Sequence, residues 1–142
     1  MKSIVSETIT DHPHFHDLDP MNVVWHGNYV QFFEKARAAV LKKIGYGYEK
    51  MLAGGHLWPV VDLSVRYYRP LVLSQAFEVE AGIVEWEHRL KISYLIRDVE
   101  HGRKITRGQS VQVAVDKVTE EMLWETPQVF RDRIAPYLPS SC

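Results

Sequence analysis

Cysteine is nearly missing from this chain: its 142 residues include one, Cys142, at the very end. A single thiol excludes an intramolecular disulfide and gives no sign of an oxidising compartment. Its terminal place also makes it a poor nucleophile. Long apolar runs are missing too, with nothing approaching the ~20 residues of a membrane span. The opening MKSIVSETITDH lacks the apolar core of a signal peptide. A cytoplasmic protein with no membrane contact is therefore expected. An excess of charge of one sign is lacking as well. The 17 basic and 18 acidic side chains leave a formal net charge of -1, so no global basic field recruits nucleic acid or anionic lipid. No serine sits in a G-x-S-x-G elbow, because Gly108-Gln109-Ser110-Val111-Gln112 lacks the second glycine.

What is present fits one globular domain over residues 1–142, with 46% hydrophobic and 25% charged residues. A core of this size buries roughly 70% of the unfolded chain's surface. Residues 3–11 alternate loosely and predict a short, partly exposed strand, which Pro13 ends or pushes to an edge. From Gly27 the period changes. Tyr29, Phe33, Ala36, Val40 and Ile44 recur at three- and four-residue intervals, predicting a helix of about 19 residues, ~28 Å long. Gly45 supplies its left-handed cap, and Lys42 and Lys43 sit where the dipole favours cations. A helical turn at Tyr48 to Leu52 follows. Alternating segments over 61–67, 77–83, 90–96 and 111–115 then predict four strands, with a hairpin turn at Glu100 to Arg103. Thr126 is placed to cap a helix starting at Pro127, with Phe130 and Ile134 on one face and Pro136 ending it. The order is strand, long helix, four strands and short helix. It implies an α+β fold in which the helix buries its apolar face on an antiparallel sheet.

The stretch from Asp17 to Arg37 joins an acidic, Pro-containing turn to that long helix. A helix's first turn leaves N–H groups unpaired and carries partial positive charge, so amides near His26 and Gly27 suit a developing oxyanion. On the residue pattern alone, Asp19 reads as a turn or capping carboxylate. Asp17 reads the same way, as a residue that bonds local amides.

Asp17-Leu18-Asp19, Val24-Trp25-His26, Tyr29 and Phe33-Glu34-Lys35-Ala36-Arg37 together resemble the hotdog-fold thioesterases. The likeness is to the group around 4-hydroxybenzoyl-CoA thioesterase and its bacterial acyl-CoA relatives. One departure is Asn22, where relatives usually carry Gly; Asn tolerates left-handed backbone better than most residues. The resemblance implies an antiparallel sheet wrapped around one long central helix, with a short C-terminal helix. It implies hydrolysis of acyl-CoA or acyl-carrier-protein thioesters without metal or other cofactor, in a homodimer or homotetramer with active sites at the subunit boundary. It makes Asp19 the catalytic carboxylate, as general base or as nucleophile, and gives the oxyanion to an amide at His26 or Gly27. Asn28 and Tyr29 become substrate-binding candidates, although Tyr29's place in the helical period also suits the core. Arg89 and Lys91 stand where relatives carry basic residues that meet the CoA nucleotide; alternating charges on a strand otherwise mark a wet sheet face. A second hotdog lineage places its acid on the long helix, which draws attention to Glu34. Here Glu34 falls on the polar face and reads as solvated or ion-paired, and Arg37 is expected to meet an acid at the subunit boundary.

Two other readings compete. His12-Pro13-His14-Phe15-His16-Asp17 resembles the H-x-H-x-D-H pattern of metallohydrolases, but His16 stands where that motif has Asp, and Asp17 where it has His. A non-catalytic acyl-CoA-binding protein of the same fold is the other reading, and it would bind acyl-CoA without releasing thiol.

Overall fold

The computed structural model describes residues 2–139, so Cys142 lies outside the described residues. β1 (Val5–Asp11) is followed by α1 (Tyr29–Lys43), α2 (Tyr48–Ala53) and a short β2 (His56–Leu57). Then come β3 (Val60–Tyr67), β4 (Phe77–Glu85), β5 (Leu90–Asp98), β6 (Lys104–Gln112), β7 (Val115–Asp116) and α3 (Gln128–Ile134). Five strands form one antiparallel sheet in the order β1-β4-β5-β6-β3, and β2 pairs with β7.

Alternation in sequence becomes alternation in burial. Along β5 the side chains of Leu90, Ile92, Tyr94 and Ile96 are buried, whereas Lys91, Ser93, Leu95 and Arg97 lie half-buried on the other face. The helix meets the inner face with all five of its periodic residues buried. Phe33 stacks on Tyr94 with centroids 4.6 Å apart. Gly108 makes room for this stack, since a Cβ there would stand 2.5 Å from the Phe33 ring. Burying a Phe of this kind is worth ~1.5–3 kcal/mol. After α1 the chain turns through Gly45 at φ 76°, and the Tyr46 N–H reaches back to the Leu41 carbonyl. Those bonds close the helix as a left-handed cap should.

Three expectations are corrected. The helix is shorter at its start: His26–Asn28 form a 3-10 turn and the α-helix proper begins at Tyr29. The sixth strand begins directly after the hairpin, at Lys104 rather than near Val111, because it pairs with β5 from Lys104 and with β3 from Thr106, in both cases as far as Gln112. Thr126 caps no helix; its hydroxyl donates to the carbonyls of Trp86 and Glu87 and ties the segment before α3 to the β4–β5 connection. In the sheet, β3 does not pair with the strand that follows it. It crosses to the far side of β6 and becomes a sheet edge.

That edge carries exposed Val60, Val61, Leu63 and Tyr67. An apolar row on an unpaired strand is a pairing surface.

Candidate active site

The acidic turn is held in place by its own backbone. The Asp19 N–H donates to the Val23 carbonyl and the Asn22 N–H to the Asp19 carbonyl, at 2.8 and 2.9 Å. Asn22 closes the turn at φ 63°, the left-handed conformation in which Asn substitutes for Gly. The Val24 N–H donates to Leu71, which stitches the turn to the loop after β3.

One carboxylate oxygen of Asp19 accepts the Met21 N–H at 2.8 Å. Its other oxygen has no protein donor among the described residues. Asp17, by contrast, is buried and committed to structure. Its side chain accepts the His14 N–H, and its carbonyl accepts the Trp25 N–H and the Asn28 side-chain amide, each at 2.8–2.9 Å.

Asp19, His26 and Tyr29 line one cleft of about 290 Å³, together with Tyr67, Arg69 and Pro70 from the end of β3. The Tyr29 ring is buried and its hydroxyl accepts the Leu71 N–H at 3.2 Å. Burial holds the Tyr29 phenol above its ordinary pKa, reinforced by nearby Tyr67 and by the Asp19 carboxylate; the Leu71 bond opposes this. The phenol therefore stays protonated beside the carboxylate. At the helix entry the Asn28 N–H donates to Trp25, while the N–H groups of His26 and Gly27 have no protein acceptor among the described residues. The Trp25 indole lies over Gly27, where any Cβ would meet it at 2.3 Å. Glycine at this position lets the indole cover the turn.

Other predicted residues lie elsewhere. Asn28 spends its side-chain amide on the Asp17 carbonyl and does not line the cleft. Arg89 is held by Glu85 at 2.6 and 3.1 Å, and Lys91 approaches the same carboxylate at 3.7 Å. Lys91 pairs with Val111, which pairs with Asp62 on β3. Within one protomer that is roughly 17 Å of strand away from Tyr67. Arg37 is buried and pairs with Glu34 one turn earlier on its own helix; its Nε donates to the Tyr48 hydroxyl at 3.2 Å. The rings of His12, His14 and His16 lie exposed along the surface, 4.7 and 5.5 Å apart in sequence. Among the described residues no group of three or more His, Cys, Asp or Glu side chains converges as metal ligands.

Tyr67, Arg69 and Pro70 were not among the residues singled out from the sequence. Their one signal was the cluster Tyr67-Tyr68-Arg69-Pro70 ending an alternating strand. Nothing local says that this strand end meets a helix entry some forty residues earlier.

A helix wrapped by an antiparallel sheet, with a carboxylate at the helix entry, defines the class of hotdog-fold thioesterases. The profile of the Thioesterase-like superfamily matches residues 13–136, and the chain belongs to that family. It is a thioester hydrolase. A Synechocystis sp. protein named as an esterase is 30% identical over 120 residues, which cover 84% of this chain and 72% of that protein. The acyl-CoA thioester hydrolase YbgC of Escherichia coli is 30% identical over 70 residues, 49% of this chain and 52% of its own. Among solved structures, a DHNA-CoA thioesterase from Staphylococcus aureus superposes with a TM-score of 0.83 at 26% identity, covering 93% of this chain and 88% of that one. A 4-hydroxybenzoyl-CoA thioesterase complexed with 4-hydroxybenzoyl-CoA shares the fold, with a TM-score of 0.78 at 18% identity over 91% and 98% of the two chains. Among the described residues no helix is long and apolar enough to cross a membrane.

Proposed function

We propose that this chain hydrolyses acyl-CoA or acyl-carrier-protein thioesters, with Asp19 as the working carboxylate. The observation that carries this reading is the cleft in which the free oxygen of Asp19, the helix entry at His26 and the buried Tyr29 phenol come together. As a general base, Asp19 takes a proton from a water whose oxygen attacks the thioester carbonyl carbon. As a nucleophile it forms a mixed anhydride that water then opens. Either way the C–S bond breaks, the sulfur leaves and is protonated to the thiol, and the acyl group departs as free acid. The unpaired amides of His26 and Gly27 stabilise the carbonyl oxygen as charge builds on it. Losing one such donor costs ~3 kcal/mol of transition-state stabilisation.

The reading includes a homodimer made by antiparallel pairing of two β3 edges, which covers Val60, Val61 and Leu63. Such pairing carries the Arg89 and Lys91 end of one sheet to the side of the other copy's Asp19 cleft. Those two side chains then stand where CoA phosphates leave the cleft. The named relatives act on aryl-CoA and acyl-CoA thioesters, and both classes belong in the substrate panel.

The test is thiol release from a panel of acyl-CoA and acyl-carrier-protein thioesters by the wild type, Asp19→Asn and Glu34→Gln. The expected result is a loss of at least about a hundredfold in kcat for Asp19→Asn and a far smaller loss for Glu34→Gln. Undiminished turnover in folded Asp19→Asn removes Asp19 from the chemistry. Binding of acyl-CoA with no thiol release by the wild type makes the chain a binding module instead.

A further inference from the structure

Beside the Asp19 cleft lies a larger groove of about 510 Å³, bounded by the loop that follows β3 and by the β5–β6 hairpin. Arg69 and Pro70 line both spaces, so the groove continues the cleft within a single protomer.

Ion pairing around this groove leaves one charge over. Arg103 is held by Asp98 at 3.1 Å, and Glu100 has His101 Nε2 at 3.6 Å. The Arg69 guanidinium has neither an ion pair nor a hydrogen bond among the described residues, although it shares the cleft with the Asp19 carboxylate. A free carboxylate and a free guanidinium thus border one small space.

The backbone fixes where Arg69 stands. The N–H groups of Tyr68 and Arg69 both donate to the Ile105 carbonyl, at 2.9 and 3.2 Å, and Pro70 favours extended backbone in the residue before it. A guanidinium offers its donors in a planar fork, which meets a carboxylate through two parallel bonds.

An anion can reach Arg69 from either side of a thioester. On the thiol side the first anion is the pantetheine phosphate, thirteen bonds from the sulfur and roughly 15 Å away when extended. With the thioester carbonyl at Asp19, in a cleft of about 290 Å³, that arm passes Arg69 with neutral amides only. The anion that fits is on the acyl side.

We propose that Arg69 binds a carboxylate at the distal end of the acyl group, so that the protein prefers monothioesters of dicarboxylic acids. This rests on the thioesterase reading and adds to it a substrate class and a specificity residue. Water and the monothioester give the dicarboxylic acid and the free thiol. Without Arg69 the Asp19 carboxylate repels the second carboxylate of such a substrate, so the preference depends on the guanidinium.

The test compares kcat/KM for CoA thioesters matched in chain length: succinyl against butyryl, glutaryl against pentanoyl and adipyl against hexanoyl. Spontaneous thiol release is subtracted, because the carboxylate of a succinyl or glutaryl thioester can attack its own carbonyl. The wild type is expected to favour the dicarboxylic member of at least one pair by about tenfold or more, and less at high salt. Arg69→Met is expected to bring the ratio to unity or below, and Arg69→Lys to keep part of it. Arg69 is exposed, and folding of each variant is checked by its thermal midpoint. The same ratios are measured on N-acetylcysteamine thioesters, which carry no phosphate and are expected to show the same preference. Equal turnover of both members of every pair by the wild type overturns the proposal, as does a ratio that folded Arg69→Met leaves unchanged. A loss in Arg69→Met that falls equally on both members with CoA and vanishes with N-acetylcysteamine puts the phosphate at Arg69 and overturns it too. A wild type that releases no thiol from any thioester overturns the thioesterase reading itself, a result distinct from release without preference.

Discussion

The Tyr67 hydroxyl donates to the His26 carbonyl oxygen at 2.5 Å, fastening the last residue of β3 to the turn that opens α1. Tyr67 also packs edge-on against Tyr29, with ring centroids 5.1 Å apart. The two amides assigned to the oxyanion thus belong to a turn held from outside the helix.

Tyr67→Phe keeps the ring contact and removes the bond. A single hydrogen bond of this kind contributes ~1 kcal/mol, so kcat is expected to fall about three- to tenfold through a less well-held His26 and Gly27. KM should change less. Steady-state kinetics on one good substrate reads the split. A rise in KM with kcat unchanged would instead place Tyr67 in substrate binding.

Glu85 holds Arg89 and Lys91 on the outer face of the sheet, and the Arg89 hydrogen bond is the main reason its carboxyl lies below its ordinary pKa. Glu85→Gln releases both cations. If they meet CoA phosphates as proposed, KM for acyl-CoA is expected to fall about two- to fivefold at low ionic strength, with the gain fading as salt rises. Equal KM values for the two proteins at every salt concentration would leave these side chains as an ion pair on a wet surface.

Asp98 ends β5 and accepts the His101 N–H at 2.6 Å and Arg103 Nε at 3.1 Å. The His101 bond first, and then Arg103, hold its carboxyl below the ordinary value in spite of burial. Because the folded pKa lies below the unfolded one of ~3.9, the stabilisation is fully present above that value. It is lost as pH falls through the lower folded value. Asp98→Asn should therefore be less stable than the wild type at neutral pH, and the gap should close below about pH 4. Urea midpoints across the acid range measure both slopes. A constant gap down to about pH 2 would mean that the hairpin depends on shape and not on this charge.

Much of the fold was legible locally because its signals are short-range. The three- and four-residue period from Tyr29 to Ile44 marked the buried face of α1, and the left-handed backbone at Gly45, Asn22 and Gly102 fell at residues that tolerate it. The alternation in 90–96 marked β5 and its inner face. Asp17 to Arg37 carried the family likeness in one uninterrupted stretch, which is why the cleft's Asp19, His26 and Tyr29 could be named in advance.

Other features depend on which segments become neighbours, and no local pattern encodes that. An alternating strand buries one face equally well beside β4 or beside β6. Burial across the whole sheet placed β3 at the edge, and with it Tyr67 against His26 and Val60 against Gln112. The helical pattern likewise did not mark the burial of Arg37, which the packed structure gives Glu34 and Tyr48 as partners. The sequence by itself determined the elements, the turns and the acidic stretch before the helix, because periodicity and backbone preference act over a few residues. Only the tertiary structure decided that a strand end forty residues on completes the cleft, and that His56 and Gln112, far apart in sequence, line one cavity. Contacts of that range are chosen by the burial of the whole sheet against its helix.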